Sequence, residues 1–219
     1  MGYTMRSIAA AVGILALQSP VATAAVVFDQ SIDLTVSAVS SDINFGGLAA
    51  DDFQLQPGAS TVSGIRWWGG YSNMPTGIDS FTIRIFADDA GVPAAGPLAE
   101  FDVGEASRVS TGLEAFGFDV YAYEASFGPV DLMANVTYWL SIVHDTSAGD
   151  IEFWYWSLDH AGSSQYLPLP DGPGWIEHDA RLGFQLTNDA AAVPEPGTLA
   201  LLGLGLAGIG FQRRRRRAI

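Results

Sequence analysis

Between residues 25 and 188, apolar side chains recur at every second position in short segments, and this spacing restricts the body of the chain more than any other feature. Phe81, Ile83 and Ile85 would share one face of a strand, with Thr82, Arg84 and Phe86 on the other. The same alternation sets Phe118, Val120 and Ala122 against Asp119, Tyr121 and Tyr123, and Tyr138, Leu140 and Ile142 against Trp139, Ser141 and Val143. It also sets Leu182, Phe184 and Leu186 against Gly183, Gln185 and Thr187. A strand turns successive side chains to opposite faces, so these runs predict half-buried β-strands. Phe53–Leu55, Thr61–Trp68, Leu98–Val103 and Ile151–Trp156 extend the set. Turn clusters such as Ala90-Gly91-Val92-Pro93 and Pro170-Asp171-Gly172-Pro173-Gly174 separate them. No segment sustains a 3.6-residue period. The expectation is an all-β body, an antiparallel β-sandwich or jelly roll, for which about 160 residues suffice.

Charge divides the chain. There is no lysine, and of ten basic residues only Arg66, Arg84, Arg108 and Arg181 lie between Ala25 and Ala192. That span holds 23 of the 24 acids, so four arginines against 23 carboxylates leave −19. Such a body repels phosphate backbones, which argues against nucleic-acid binding. The absence of cysteine excludes disulfides, thiolate nucleophiles, cysteine zinc sites and iron–sulfur clusters.

The two ends read as addresses rather than fold. Arg6 precedes the apolar run Ile8–Leu17, Gln18, Ser19 and Pro20 break it, and Ala22-Thr23-Ala24 supplies the small residues a signal peptidase reads. Residues 1–24 are therefore expected to be a signal-peptide helix cleaved after Ala24. At the other end, Asp189–Val193 forms a short linker and residues 194–219 a second apolar segment. Leu199–Phe211 would span roughly 20 Å as a helix, short of a hydrocarbon core of about 30 Å. Snorkelling arginines could make up the difference. The block Arg213, Arg214, Arg215, Arg216 and Arg217 should stay cytoplasmic, with the body outside.

Val193-Pro194-Glu195-Pro196, a Gly/Leu-rich span and a terminal arginine cluster together resemble the PEP-CTERM sorting signal. The resemblance implies that Pro194, Glu195 and Pro196 are recognised by an exosortase, a membrane-embedded cysteine protease or transpeptidase of Gram-negative bacteria. It implies a transient inner-membrane intermediate and then a cell-surface or extracellular destination, often in bacteria that make exopolysaccharide. The body in turn resembles a globular domain that recurs in PEP-CTERM proteins. Asp51-Asp52-Phe53, Ile65-Arg66-Trp67-Trp68-Gly69-Gly70-Tyr71, Phe81–Asp88 and Thr137–Ile142 carry that likeness. It brings no activity with it.

Chemistry-bearing motifs are sparse. His144, His160 and His178 form neither H-x-H nor H-E-x-x-H, and no G-x-S-x-G elbow, phosphate loop or dinucleotide fingerprint occurs. Asp150 and Glu152 would share a strand face about 6.6 Å apart, a spacing that two carboxyls flanking a sugar could use. Calcium, the one cofactor considered, would require oxygen-rich turns at Asp88-Asp89 or Asp51-Asp52; solvated turns are the plainer reading. The aromatic set is more suggestive. Trp67, Trp68, Tyr71, Trp154 and Trp156, if exposed, would offer flat apolar faces to an exopolysaccharide, and core filling is the competing reading. Trp67 and Trp68 should face opposite ways, while Trp154 and Trp156 share a face. The resulting expectation is an exported, non-enzymatic surface or matrix protein that binds exopolysaccharide through exposed rings. A secreted glycan hydrolase with paired carboxylates and a purely structural matrix protein are the alternatives.

Overall fold

The computed structural model describes residues 24–32, 38–73, 78–147, 153–157, 162–168 and 174–188. All of them lie in one compact unit, Thr23–Ala190. The described residues of the unit are all-β and form two antiparallel seven-stranded sheets.

The first sheet holds β1 (Ala25–Gln30), β2 (Ala38–Ser40), β4 (Thr61–Tyr71), β8 (Ser107–Ala115), β9 (Phe118–Asp131), β11 (Trp154–Ser157) and β14 (Phe184–Asn188). The second holds β3 (Gly47–Gln54), β5 (Phe81–Asp89), β6 (Val92–Pro93), β7 (Ala99–Gly104), β10 (Thr137–His144), β12 (Ser164–Pro168) and β13 (Ile176–His178). β4 is the axis of the first sheet. Its Thr61–Gly70 stretch pairs with β9, and β14 and β11 pair with it at Gly64–Trp67 and Gly69–Tyr71. The Gly69-Gly70 step makes this crowding possible. A Cβ on Gly69 would run into the Tyr155 carbonyl and the Trp154 indole, and one on Gly70 into the Asp119 carbonyl. In the second sheet β10 lies between β3 and β5.

The alternation expected from the sequence is the alternation of burial. Phe81, Ile83, Ile85, Leu140, Ile142, Leu182, Phe184 and Leu186 all point into one core shared by both sheets. Phe81 of the second sheet lies edge-on to Trp67, Tyr123 and Trp154 of the first, with centroids 5.3, 5.1 and 5.1 Å away. Trp67 stacks on Tyr123 at 5.4 Å. Each such pair adds roughly 0.5–1.5 kcal/mol beyond the area it buries. In β9 it is the tyrosine face that turns inward. Val120 and Ala122 pack outside with Trp68, Ala115 and Tyr155. A second outer cluster joins Ala50, Phe86 and Trp139, with Trp175 packed against it. β10 is therefore buried on both faces.

The expected signal-peptide helix, linker and membrane helix and the terminal arginines fall outside the described residues, as do Asp150, Glu152 and His160.

Candidate functional site

The five rings expected to offer a sugar platform do not reach the surface. Trp67, Trp154 and Trp156 are fully buried, and Tyr71 and Trp68 are 4% and 7% exposed. Trp67, Tyr71, Trp154 and Trp156 belong to the shared core, and Trp68 to an outer cluster with Arg66 lying over its ring at 5.4 Å. Neighbouring rings faced opposite ways, as expected, but the outward-facing ones are covered too. Large aromatics bury more apolar area than any other side chain, and here they fill the body rather than decorate it.

One of these rings takes part in a buried polar cluster. Tyr71 ends β4, His144 ends β10, Asp79 sits in the loop before β5, and Arg108 opens β8. The Tyr71 hydroxyl donates to Asp79 Oδ1 and lies 3.2 Å from His144 Nε2. Arg108 donates to the same Asp79 oxygen at 3.2 Å, and His144 Nε2 stands 3.8 Å from it. The Ser80 N–H points at His144 Nε2 at 3.2 Å. Arg108 also lies over the rings of Tyr71 and Tyr121. Burial pushes the Asp79 carboxyl up, but the adjacent His144 ring, the Tyr71 hydrogen bond and the charge of Arg108 outweigh it, so its pKa ends below the ordinary 3.8. Burial, the neighbouring Tyr123 and Asp79 push the Tyr71 phenol up. Asp79 is thus held as a carboxylate whose partners already surround it. That is the electrostatics of a tie between four chain segments, not of a base poised to take a proton.

Two further buried carboxyls are tied by neutral donors. Asp42 accepts from the backbone N–H groups of Asn44 and Trp154 and from the Thr146 hydroxyl, at 2.9, 2.9 and 3.0 Å. Asp51 is an inward-facing residue of β3. It accepts from the Gln30 amide and the Leu182 N–H, both at 2.6 Å, and from the Asp52 N–H at 2.8 Å. Burial raises its pKa from 3.8 to about 7, against the opposing Leu182 bond and the charge of Arg181. The expectation that Asp51-Asp52 forms a solvated turn is corrected: both are strand residues, one in the core and one outside, paired with Arg181 at 3.2 Å. The exposed Asp88 accepts from Trp139 Nε1 at 2.8 Å and from the Gly91 N–H. Oxygens engaged in this way are spent on protein donors. Among the described residues, no group of three or more His, Asp or Glu is placed to hold a metal ion.

All four arginines of the body are paired: Arg66 with Glu124, Arg84 with Glu100, Arg108 with Asp79 and Arg181 with Asp52. The first two are direct cross-strand partners. Sequence reasoning passed over Asp79 altogether. The scarcity of positive charge was the available signal, since four arginines among so many acids must each attract one.

One partly accessible aromatic ring, Trp175, lies elsewhere. On the outer face of the second sheet a groove of about 330 Å³ is bordered by Phe86, Trp175, Leu167, Leu48 and Arg84. Trp175 is half-buried and edge-on to Phe86 at 6.2 Å. Arg84 keeps its ion pair with Glu100 at 2.7 Å on the same face.

A family model of the PEP-CTERM protein-sorting motif matches residues 192–217. The match covers Pro194, Glu195, Pro196 and the five arginines, and leaves the β body unmatched. No curated protein and no solved structure matches the chain.

Proposed function

Because the chain carries a PEP-CTERM sorting motif, which marks an exosortase-sorted extracellular protein, we propose that its body is a non-enzymatic component of the cell surface or extracellular matrix. The observation that carries this reading is the junction of that motif to a two-sheet body whose buried carboxyls are saturated by protein donors. Signal peptidase acts at the N-terminal end and exosortase at the motif, and the inner membrane holds the chain between the two events. Intact mass and terminal sequencing of protein from native cells, separated into membrane and external fractions, tests it. The expected external form begins at Ala25 and lacks the arginine cluster. An intact arginine tail confined to the membrane fraction would overturn the reading.

The half-buried Trp175 favours a second, compatible reading, in which exopolysaccharide is bound on the outer groove. A pyranose presents C–H groups that pack on an aromatic face, and Arg84 and Glu100 stand nearby to meet hydroxyls. The groove is of a size that small ligands use. Titrating the mature protein with the host's purified exopolysaccharide should change tryptophan fluorescence, and Trp175→Ala should abolish the change while leaving the melting temperature within about 2 °C. No retention of the wild-type protein on the polymer would remove this reading and leave a purely structural role.

A further inference from the structure

Both covalent connections of the body leave from one place. β1 begins at Ala25 and β14 ends at Asn188, and these two residues are register partners at the end of the β1–β14 ladder. The sorting motif match begins at residue 192, four residues beyond Asn188. An extended chain gains at most about 3.5 Å per residue, so the match starts within roughly 14 Å of Asn188, and Pro194 lies within roughly 21 Å.

β14 has little slack to lend to this tether. It is zipped to β1 on one edge and to β4 on the other. Phe184 and Leu186 are fully buried, and Asp51 holds the Leu182 N–H just before the strand. Peeling β14 would draw Phe184 off Phe28 and Trp156, whose centroids lie 5.0 and 6.0 Å away. An enzyme acting on the motif must therefore approach the folded sheet to within a few residues' length.

Resting on the sorting reading above, we infer that the sheet end where β1 and β14 meet is the face offered to the membrane-embedded sorting enzyme. The enzyme works on a chain whose β14 stays zipped. The face is partly apolar: Val26 is 50% exposed, and Met133, in the turn after β9, is 66% exposed. That turn lies at the same end, because Asp131 pairs with Thr61 where β4 begins.

The test uses the full chain in its native cells. Asp29 and Gln185 are register partners on β1 and β14, and their side chains touch at 3.0 Å. The double variant Asp29→Cys with Gln185→Cys closes a disulfide across them, with no other cysteine to compete. The cross-linked chain should lose its arginine tail at the wild-type rate, within about twofold. Deleting residues 189–191 should slow tail removal at least tenfold while the body stays as protease-resistant as the wild type. A cross-linked chain that accumulates unprocessed, or a deletion processed at the wild-type rate, would overturn the inference. If the wild-type chain itself keeps its tail, the sorting reading fails first. A wild-type chain that is processed while the cross-linked one is not sinks only the inference.

Discussion

Asp79 and Asp51 are both buried in the same body, and their surroundings push them in opposite directions. Asp79 has a guanidinium at 3.2 Å, a phenol and an imidazole, and its pKa falls below the ordinary value. Asp51 has an amide side chain and two backbone N–H groups, with Arg181 reaching it only through space, and its pKa rises to about 7. Burial acts upward on both. The difference lies in depth and in partners: Asp79 is the less deeply buried and has His144, the Tyr71 hydroxyl and then the Arg108 charge to offset desolvation, whereas Asp51 is fully buried with only neutral donors in contact. The consequence is a division of labour. Asp79 ties the ends of β4, β10 and β8 as an ion, while Asp51 joins β3 to β1 and to the segment entering β14 as a carboxyl that is protonated over part of the accessible pH range.

Replacing Asp79 should give the largest effect. Asp79→Ala leaves Arg108, Tyr71 and His144 without the carboxylate that joins them. Breaking a buried pair costs about 3–5 kcal/mol, and the partial exposure of Arg108 places this case near 3 kcal/mol. The melting temperature should fall by roughly 6–12 °C. Asp79→Asn keeps the shape and removes the charge, so it should retain most of that loss. If Asp79→Asn instead melts with the wild type, charge is not what separates the two sites, and the comparison collapses to burial alone.

The parts of this architecture that the sequence revealed are those governed by local alternation. β5, β10 and β14 announce themselves because Phe81-Ile83-Ile85, Leu140-Ile142 and Phe184-Leu186 each load one face of a strand. β8 does not, because Ser107-Arg108-Val109-Ser110 is an exposed edge with no apolar face to betray it. The arginine pairs were hidden for a different reason. Arg66 meets Glu124 and Arg84 meets Glu100 through strand register, which depends on residues far away in the chain. Asp51-Asp52 reads as a turn because two adjacent carboxylates follow Gly46-Gly47 closely. Only the flanking Ala49 and Phe53, at the same inward parity, disclose that a carboxyl occupies a core position. Of the five rings weighed as a sugar platform, Trp67, Tyr71, Trp154 and Trp156 fill the shared core, as the competing core-filling reading has it, because alternation alone does not say which face of a strand is the inner one. Trp68 and Trp139 do face outward, and each is covered by its own satellite cluster. The sorting signal, by contrast, is a linear motif. It was fully legible because its recognition depends on residue order and not on a fold.

Asp51 offers the sharper test of the comparison, because its effect carries a sign. In the unfolded chain the carboxyl loses its proton near 3.8, whereas in the folded body it keeps the proton to about 7. Between these values the folded state binds more protons, so its stability falls as pH rises. The contribution is fully present below about pH 4, declines through pH 4–7 and is flat above about 7. Asp79 has the opposite sign: its folded pKa is depressed, so its contribution is present above about pH 4 and is lost as pH falls below it. The two contributions therefore run in opposite directions with pH. Asp51→Asn removes the titrating proton yet leaves an oxygen to accept from Gln30 and Leu182. Urea unfolding from pH 4 to 8 should show the wild-type body losing on the order of 1–3 kcal/mol across this window, with the variant nearly flat. At pH 8 the variant should equal or exceed the wild type. A wild-type profile that is already flat, or a variant that keeps the slope, would mean that Asp51 folds ionised like Asp79 and that neutral donors hold a buried charge here as well as an arginine does.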